Sequence, residues 1–86
     1  MSDFHFTEDG MEDYLYWQEH DKQVLKKINS LLKSISRTPF SGEGKPEPLK
    51  YKGMWSRRIN GKDRLVYSCE GDVIIIFQCR GHYEDK

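Results

Sequence analysis

The 86-residue chain predicts an α+β fold, with two N-terminal helices packed on one face of an antiparallel sheet. Apolar residues recur at helical spacing only before residue 38, and the segments after residue 53 have the apolar runs and alternation of strands. Turn signals separate those strands. We expect a single domain over residues 1–86, in the order β-α-α-β-β-β with one optional further strand, because this length is near the lower limit for a self-sufficient core.

The N-terminal half predicts a short strand followed by two helices. Residues Phe4 to Phe6 form the strand, and Thr7 is a candidate N-cap for a first helix that ends near His20. Asp21 can cap the second helix. Apolar residues at a step of about 100° form one stripe on that helix, namely Val24, Ile28, Leu31, Leu32 and Ile35.

A loop rich in proline and glycine, residues 38–46, separates the helices from the sheet region. Three main strands are expected, over Met54–Ile59, Asp63–Cys69 and Asp72–Arg80. Asn60-Gly61 supplies the first hairpin turn. Loops of two and of three residues both fit, and they place different members of the pair Arg57 and Arg58 beside Arg64.

The register of the second hairpin is predicted from the alternation of apolar residues. Leu65 is expected to pair with Phe77. Tyr67 then lies opposite Ile75. In this register three polar side chains share the other face of the sheet, namely Arg64, Gln78 and Arg80.

The net charge is zero, but the charges are unevenly distributed. Residues 1–21 contain seven acidic residues and no Lys or Arg, whereas residues 22–83 contain thirteen Lys or Arg and five acidic residues. A basic body is typical of a protein that binds polyanions, although an ordinary soluble domain is the alternative. Four cations lie opposite the apolar stripe of the second helix and favour an RNA-facing surface, namely Lys22, Lys26, Lys33 and Arg37.

Several classes of protein are not supported by the sequence. The longest apolar run, Val73 to Phe77, is too short to span a bilayer. No signal peptide is recognisable, so a cytoplasmic location is expected. Cys69 and Cys79 lack the spacing of metal ligands and are expected to be free thiols. No metal and no cofactor is predicted.

The candidate chemistry is metal-independent cleavage of RNA, which needs a base, an acid and cations that stabilise phosphoryl charge. Glu47, held between two prolines, is the candidate base, and a plain surface glutamate is the alternative. His82 is the candidate acid, and a terminal histidine without a role is the alternative. Tyr83 can stack on a base or bind a phosphate, while Arg64 and Arg80 offer forked donors. Four other cations are expected to contact phosphates, namely Lys50, Lys52, Arg57 and Arg58.

A set of short sequence blocks occurs in a distinctive order along the chain. The blocks are DYLYWQ at 13–18, RTPF at 37–40, KPEPLK at 45–50, WSRRI at 55–59, RLVY at 64–67 and the pair His82-Tyr83. Together they resemble the YoeB toxins, which belong to the RelE superfamily of bacterial toxin–antitoxin systems. The chain departs from that pattern in its acidic first helix and in Glu84-Asp85-Lys86, which follow the His-Tyr pair.

The resemblance implies a RelE-like fold akin to small microbial ribonucleases, and cleavage of mRNA in the A site of the 70S ribosome to leave a 2′,3′-cyclic phosphate. By motif, Glu47 is the general base, Arg64 stabilises the transition state, His82 is the general acid and Tyr83 orients the reactants. A YefM-type antitoxin would silence the toxin, and the two together would bind operator DNA. The toxin can also form a homodimer. The competing hypotheses are a non-catalytic nucleic-acid-binding or co-repressor module and a ribonuclease that needs no ribosome.

Overall fold

The structure, a computed structural model, describes residues 3–51 and 53–81. Three predicted site residues lie outside the described residues, namely Lys52, His82 and Tyr83. The elements follow one another as β1 (Asp3–Phe6), α1 (Glu8–His20), α2 (Lys22–Arg37), β2 (Glu47–Pro48), β3 (Met54–Arg58), β4 (Arg64–Glu70) and β5 (Val73–Gln78).

The five described strands form one sheet in the order β1-β5-β4-β3-β2. Strand β1 is parallel to β5, and every other neighbouring pair is antiparallel. Both helices contribute to a single core against one face of this sheet. The predicted α+β fold is therefore confirmed, and the two-residue β2 is an additional edge strand that precedes the three predicted ones.

Two side-chain caps define where the helices begin. The Thr7 hydroxyl accepts a hydrogen bond from the Gly10 amide at 3.1 Å. The Asp21 carboxylate accepts from the amides of Gln23 and Val24 at 3.1 and 3.2 Å. Both caps confirm the predicted helix boundaries, because each satisfies amides that have no partner inside the helix.

The apolar stripe of α2 faces the sheet, as its spacing predicted. Ile28, Leu31 and Ile35 have no exposed surface and belong to the same core as Leu65 and Tyr67 of β4. Removing such side chains from water supplies most of the stability of a small domain. This packing holds α2 against the strands that carry the candidate site.

Helix α1 is seated directly on the backbone of β5 and the residues after it. A Cβ atom at Gly10 would lie 2.4 Å from the Ile76 carbonyl oxygen, so only glycine permits this approach. The Trp17 indole donates to the Cys79 carbonyl at 2.8 Å, and the Cys79 amide donates to the Asp13 carboxylate at 3.0 Å. Burial raises the pKa of Asp13 despite the hydrogen bond from Cys79, which lowers it.

The predicted register between β4 and β5 is wrong. Tyr67 pairs with Ile76 rather than Ile75, and Val66 pairs with Gln78, so Phe77 is the extra residue of a β-bulge. The two-residue turn at Gly71-Asp72, with Gly71 at φ +63°, sets this register. Consequently Ile74 and Ile76, rather than the expected alternate set, face the helices.

The described residues contain no helix long and apolar enough to cross a membrane. They also contain no group of three or more His, Cys, Asp or Glu side chains arranged to hold a metal ion. Cys69 and Cys79 are free thiols. Burial raises the pKa of the Cys79 thiol to about 12, which makes it a poor nucleophile near neutral pH.

Candidate active site

The sheet face opposite the helices carries the candidate site, and we term it the open face. Cross-strand pairing aligns one row of residues over four strands, namely Glu47, Ser56, Val66 and Gln78. Paired residues project to the same side of a sheet, and alternate residues of one strand do so too. The open face therefore includes Glu47, Ser56, Arg58, Arg64, Val66 and Gln78, of which Ser56 and Val66 are themselves buried.

The loop between β3 and β4 decides which arginine reaches the open face. The Ile59 amide donates to the Asp63 carbonyl at 3.0 Å and closes a three-residue loop. The Asn60 side-chain oxygen accepts from the Asp63 amide inside this loop at 2.8 Å. The resulting register pairs Arg58 with Arg64, so the three-residue alternative from the sequence is the one that forms.

Arg58 and Arg64 are Cα partners on neighbouring strands and share the open face. Like charges directly opposite each other in a sheet are unfavourable. Neither takes part in the one ion pair found among the described residues, which joins Lys27 to Glu43. Arg64 donates from Nη1 to the carbonyls of Asn60 and Asp63 at 2.9 and 3.1 Å, which holds that nitrogen of its guanidinium against the loop. An anion bound between the two guanidinium groups would offset their repulsion.

Glu47 supplies the carboxylate of the open face. It is exposed on the edge strand β2, and prolines on both sides restrict its backbone. Its Cα partner is Ser56 of β3, and Arg58 lies two residues further along β3. Strand β4 with Arg64 lies two strand spacings away, or about 10 Å. A phosphodiester placed over β3 would have the Glu47 carboxylate on the β2 side and Arg64 on the β4 side, with Arg58 on β3 itself.

The predicted phosphate contact by Arg57 is incompatible with the structure. Arg57 is only 1% exposed and lies on the helix side of β3, because the three-residue loop pairs it with Leu65. Its guanidinium is occupied by hydrogen bonds to other parts of the chain, including the Ser34 hydroxyl at 2.7 Å. Arg57 is therefore a buried residue and cannot reach an RNA strand on the open face.

Arg80 also departs from the predicted grouping. Its guanidinium carbon lies 3.5 Å from the centre of the Tyr16 ring of α1, so the side chain turns towards the helix layer. Gln78, in contrast, shares the open face with Arg64 as predicted. Arg80 remains an exposed residue despite this cation–π contact.

Asp63 is a site residue that the sequence reasoning missed. It is 2% exposed, and its carboxylate accepts from the Gly81 amide at 2.7 Å and from the Asn60 side chain at 3.0 Å. The Gly81 carbonyl in turn accepts from the Arg64 amide at 3.0 Å. Asp63 thereby places Gly81, the residue before His82, directly beside Arg64. The Asn-x-x-Asp spacing in the loop, which is typical of tight turns with side-chain hydrogen bonds, is the sequence feature from which Asp63 could have been predicted.

A second cationic surface lies on α2, on a different side of the molecule from the open face. Its four cations are exposed, as predicted, namely Lys22, Lys26, Lys33 and Arg37. Lys33 and Arg37 line a groove of about 390 Å³ together with Ser30, Ser34, Thr38 and Glu43. Lys50 is likewise exposed, in the connection that follows β2.

The fold and the open face together define a class of small α+β proteins: two helices cover one side of a five-stranded sheet, and the other side carries an arginine pair and a carboxylate. Residues 6–83 match the family model described as a YoeB-like toxin of bacterial type II toxin–antitoxin systems. The chain belongs to this family, which confirms the resemblance found in the sequence.

Individual relatives agree with this assignment. The toxin YoeB of Escherichia coli K12 is 55% identical over 80 residues, which cover 91% of this chain and 95% of that protein. The YoeB dimer from Staphylococcus aureus matches with a TM-score of 0.90 at 47% identity, covering 95% of this chain and 98% of that one. A YoeB–YefM complex from the same species matches with a TM-score of 0.87 at 45% identity, with 96% and 99% covered.

Proposed function

We propose that this toxin is a ribosome-dependent endoribonuclease that cleaves mRNA in the ribosomal A site and so inhibits translation. The observation that carries the proposal is the Arg58–Arg64 pair, which shares the open face with Glu47. Two arginines on paired positions of neighbouring strands, neither in an ion pair among the described residues, suit a phosphodiester, and a carboxylate on the same face suits removal of a proton. Membership of a toxin family supports an activity directed against the cell.

The proposed reaction uses only groups of the chain and of the RNA. Glu47 takes the proton of a 2′-hydroxyl, whose oxygen attacks the adjacent phosphorus, while Arg58 and Arg64 stabilise the negative charge that grows on the non-bridging oxygens. The bond to the 5′-oxygen breaks, and that oxygen takes a proton from the general acid. Family resemblance assigns this role to His82 and an orienting role to Tyr83. The products are a 2′,3′-cyclic phosphate and a 5′-hydroxyl.

The proposed partners follow from the remaining surfaces and from the relatives. The exposed cations of α2 would bind ribosomal RNA, and Lys50, Lys52 and Arg80 would contact mRNA phosphates. The proposed location of this activity is the cytoplasm. A YefM-type antitoxin is proposed because a relative from Staphylococcus aureus forms a YoeB–YefM complex. A homodimer is proposed because another structure from that species is a YoeB dimer. Binding of operator DNA is proposed only for the complex of toxin and antitoxin.

The direct test is the rate of single-turnover mRNA cleavage in programmed ribosomes, compared with cleavage of the same RNA free in solution. Glu47→Gln keeps the size of the side chain and should slow cleavage by about 10²–10⁴-fold, the usual contribution of an acid–base group. Glu70→Gln is the matched control, since Glu70 is an exposed carboxylate at the far end of β4, and it should remain within about twofold of wild type.

Three outcomes would overturn parts of the proposal. A Glu47→Gln rate within about tenfold of wild type would exclude Glu47 as the general base. Equal cleavage of free and ribosome-bound RNA would exclude dependence on the ribosome. Growth arrest that survives a combined Glu47→Ala and Arg64→Ala change would show that toxicity comes from binding rather than from cleavage.

A further inference from the structure

Arg57 is a buried cation whose donors are all used. Its Nε donates to the Tyr67 hydroxyl at 3.1 Å. Its two terminal nitrogens donate to four further oxygens, namely Ser34 Oγ at 2.7 Å and the carbonyls of Glu43 at 2.9 Å, Thr38 at 2.6 Å and Ser41 at 2.8 Å. A guanidinium has five N–H donors, so each has one acceptor. A buried charge without an ion pair is tolerated only when it is bonded so completely.

Three of these acceptors are carbonyls of one loop, residues 38–46, which joins α2 to β2. The Tyr67 hydroxyl donates to a fourth carbonyl of this loop, that of Pro39, at 2.6 Å. Burial raises the pKa of Tyr67, so its hydroxyl keeps the proton that it donates. Arg57 and Tyr67 thus supply donors to four carbonyls of a loop that lacks regular secondary structure, although the Thr38 carbonyl also accepts from the Ser41 amide and the Ser41 carbonyl from the Thr38 hydroxyl.

The end of the same loop determines where Glu47 stands. Gly44, at φ +84°, is packed so closely that a Cβ atom there would lie 2.7 Å from the Leu31 side chain and 3.1 Å from Arg57 Cβ. The Gly44 carbonyl accepts from the Arg58 amide at 2.7 Å. Only Lys45 and Pro46 separate this fixed point from Glu47, and the proline ring restricts the backbone further.

We propose that Arg57 is a positioning residue for the cleavage reaction. By holding residues 38–44 on the helix side of the sheet, Arg57 sets where the Glu47 carboxylate stands relative to Arg58 and Arg64 on the open face. The inference rests on the proposed role of Glu47 as the general base. Arg57 and Arg58 thus serve one site from opposite faces of β3, the first through the loop and the second by contact with the phosphate.

A double-mutant cycle between Arg57 and Glu47 tests this role. Arg57→Lys keeps the charge but removes the five-donor geometry, and it should slow single-turnover cleavage by about 10–100-fold, since small misplacements of a reacting group are costly. In a Glu47→Gln background the same change should cost less than about twofold, because it acts through Glu47. The half-saturating ribosome concentration should not change.

Tyr67→Phe, which removes two hydrogen bonds of the Tyr67 hydroxyl, should slow cleavage less and with the same dependence on Glu47.

The control is Ile74→Val, which weakens the core on β5 away from the loop, and its effect should be equal in both backgrounds. An equal effect of Arg57→Lys in both backgrounds would overturn the positioning role.

A readout without activity is hydrogen exchange at the amides of Arg58 and Glu43, which bond to Gly44 O and Ser34 Oγ. Arg57→Lys should speed exchange there at least tenfold and leave the Met11 amide of α1 unchanged. If wild-type toxin cleaves no RNA, the proposed function fails, whereas unchanged exchange would overturn the inference itself.

Discussion

At the scale of single residues, Glu43 shows how the loop before β2 is tied to α2 from outside. Lys27 Nζ donates to one carboxylate oxygen at 2.9 Å, and the Ser30 hydroxyl donates to the other at 2.7 Å. These two hydrogen bonds lower the pKa of the Glu43 carboxyl, and the bond from Lys27 has the larger effect. The Glu43 amide also donates to Ser34 Oγ at 3.3 Å, the same hydroxyl that Arg57 uses from inside.

We predict that Glu43 makes the folded state sensitive to acid. A carboxyl with a lowered folded-state pKa contributes its stability fully above the unfolded-state value of 4.5, and that contribution is lost as the pH falls through the folded-state pKa. The pair with Lys27 is partly exposed, so the effect should be no more than about 1 kcal/mol. Urea unfolding between about pH 3 and pH 7 should show a weaker pH dependence for Glu43→Gln than for wild type. Curves that coincide for the two proteins would contradict this, and Glu12→Gln on α1 is the control.

Single-residue chemistry was enough to nominate Glu47 and Arg64 as site residues, because a carboxylate between prolines and an arginine at a strand start are visible in the sequence. It could not assign Arg57 and Arg58. The two arginines are adjacent and carry the same charge, so they differ only in the face of β3 to which each projects. The length of the following loop decides which one is buried. The fivefold bonding of Arg57 depends on residues between 34 and 67 and has no local signal.

At the scale of elements, the approach of α1 to β5 depends on one missing side chain. Gly10 lies in the first turn of α1, and its Cα lies against the carbonyl of Ile76. Thr7 strengthens this contact, since its amide donates to the same carbonyl at 3.0 Å and its hydroxyl donates to the Phe77 carbonyl at 3.3 Å. The helix is thus attached at the position of the β-bulge.

We predict that Gly10→Ala destabilises the protein by about 1–3 kcal/mol, the usual cost of overpacking a tight contact. The sign of this change in unfolding free energy is informative, because alanine is preferred over glycine in helices by about 1 kcal/mol and would stabilise α1 if there were no close contact. Gly61→Ala is the matched control, since no atom lies within 4 Å of a Cβ built there. Chemical denaturation measures both variants. A neutral or stabilising Gly10→Ala would show that α1 does not lie this close to β5.

Helix boundaries were predictable from the sequence, whereas the register of β5 was not. Thr7 and Asp21 act through hydrogen bonds to amides two or three residues away, so a local pattern contains the necessary information. In β5 the run from Val73 to Phe77 is apolar throughout, and a continuous apolar run has no alternation that could distinguish one face from the other. The turn at Gly71 decided the register instead.

At the scale of the whole molecule, a net charge of zero conceals two cationic surfaces. The open face has Arg58 and Arg64, and α2 carries four exposed cations on another side. The uneven charge along the chain predicted such a body, because the acidic residues are concentrated before residue 22. The relative placement of the two surfaces required the fold, since it depends on the sheet lying between them.

We predict that the α2 surface governs attraction to the ribosome. Replacing Lys26 and Lys33 with Gln should weaken ribosome binding and reduce the slope of log affinity against log salt concentration by about one for each phosphate that these lysines neutralise. Lys62→Gln removes the same kind of charge from the β3–β4 loop and should change the slope less. Binding measured over a range of salt concentrations distinguishes them. An unchanged slope for the Lys26 and Lys33 variant would show that α2 does not bind phosphates.

The parallel pairing of β1 with β5 has a consequence for the nascent chain. Strand β1 and helix α1 are synthesised first, yet their partners are β5 and Cys79, which are synthesised more than 50 residues later. While those residues are still inside the exit tunnel, β1 has no strand to pair with and Trp17 has no acceptor at Cys79. Long-range pairing of this kind delays folding. The amino-terminal strand and helix therefore cannot dock on β5 while most of the chain is being translated, and the sheet is completed only after β5 has emerged.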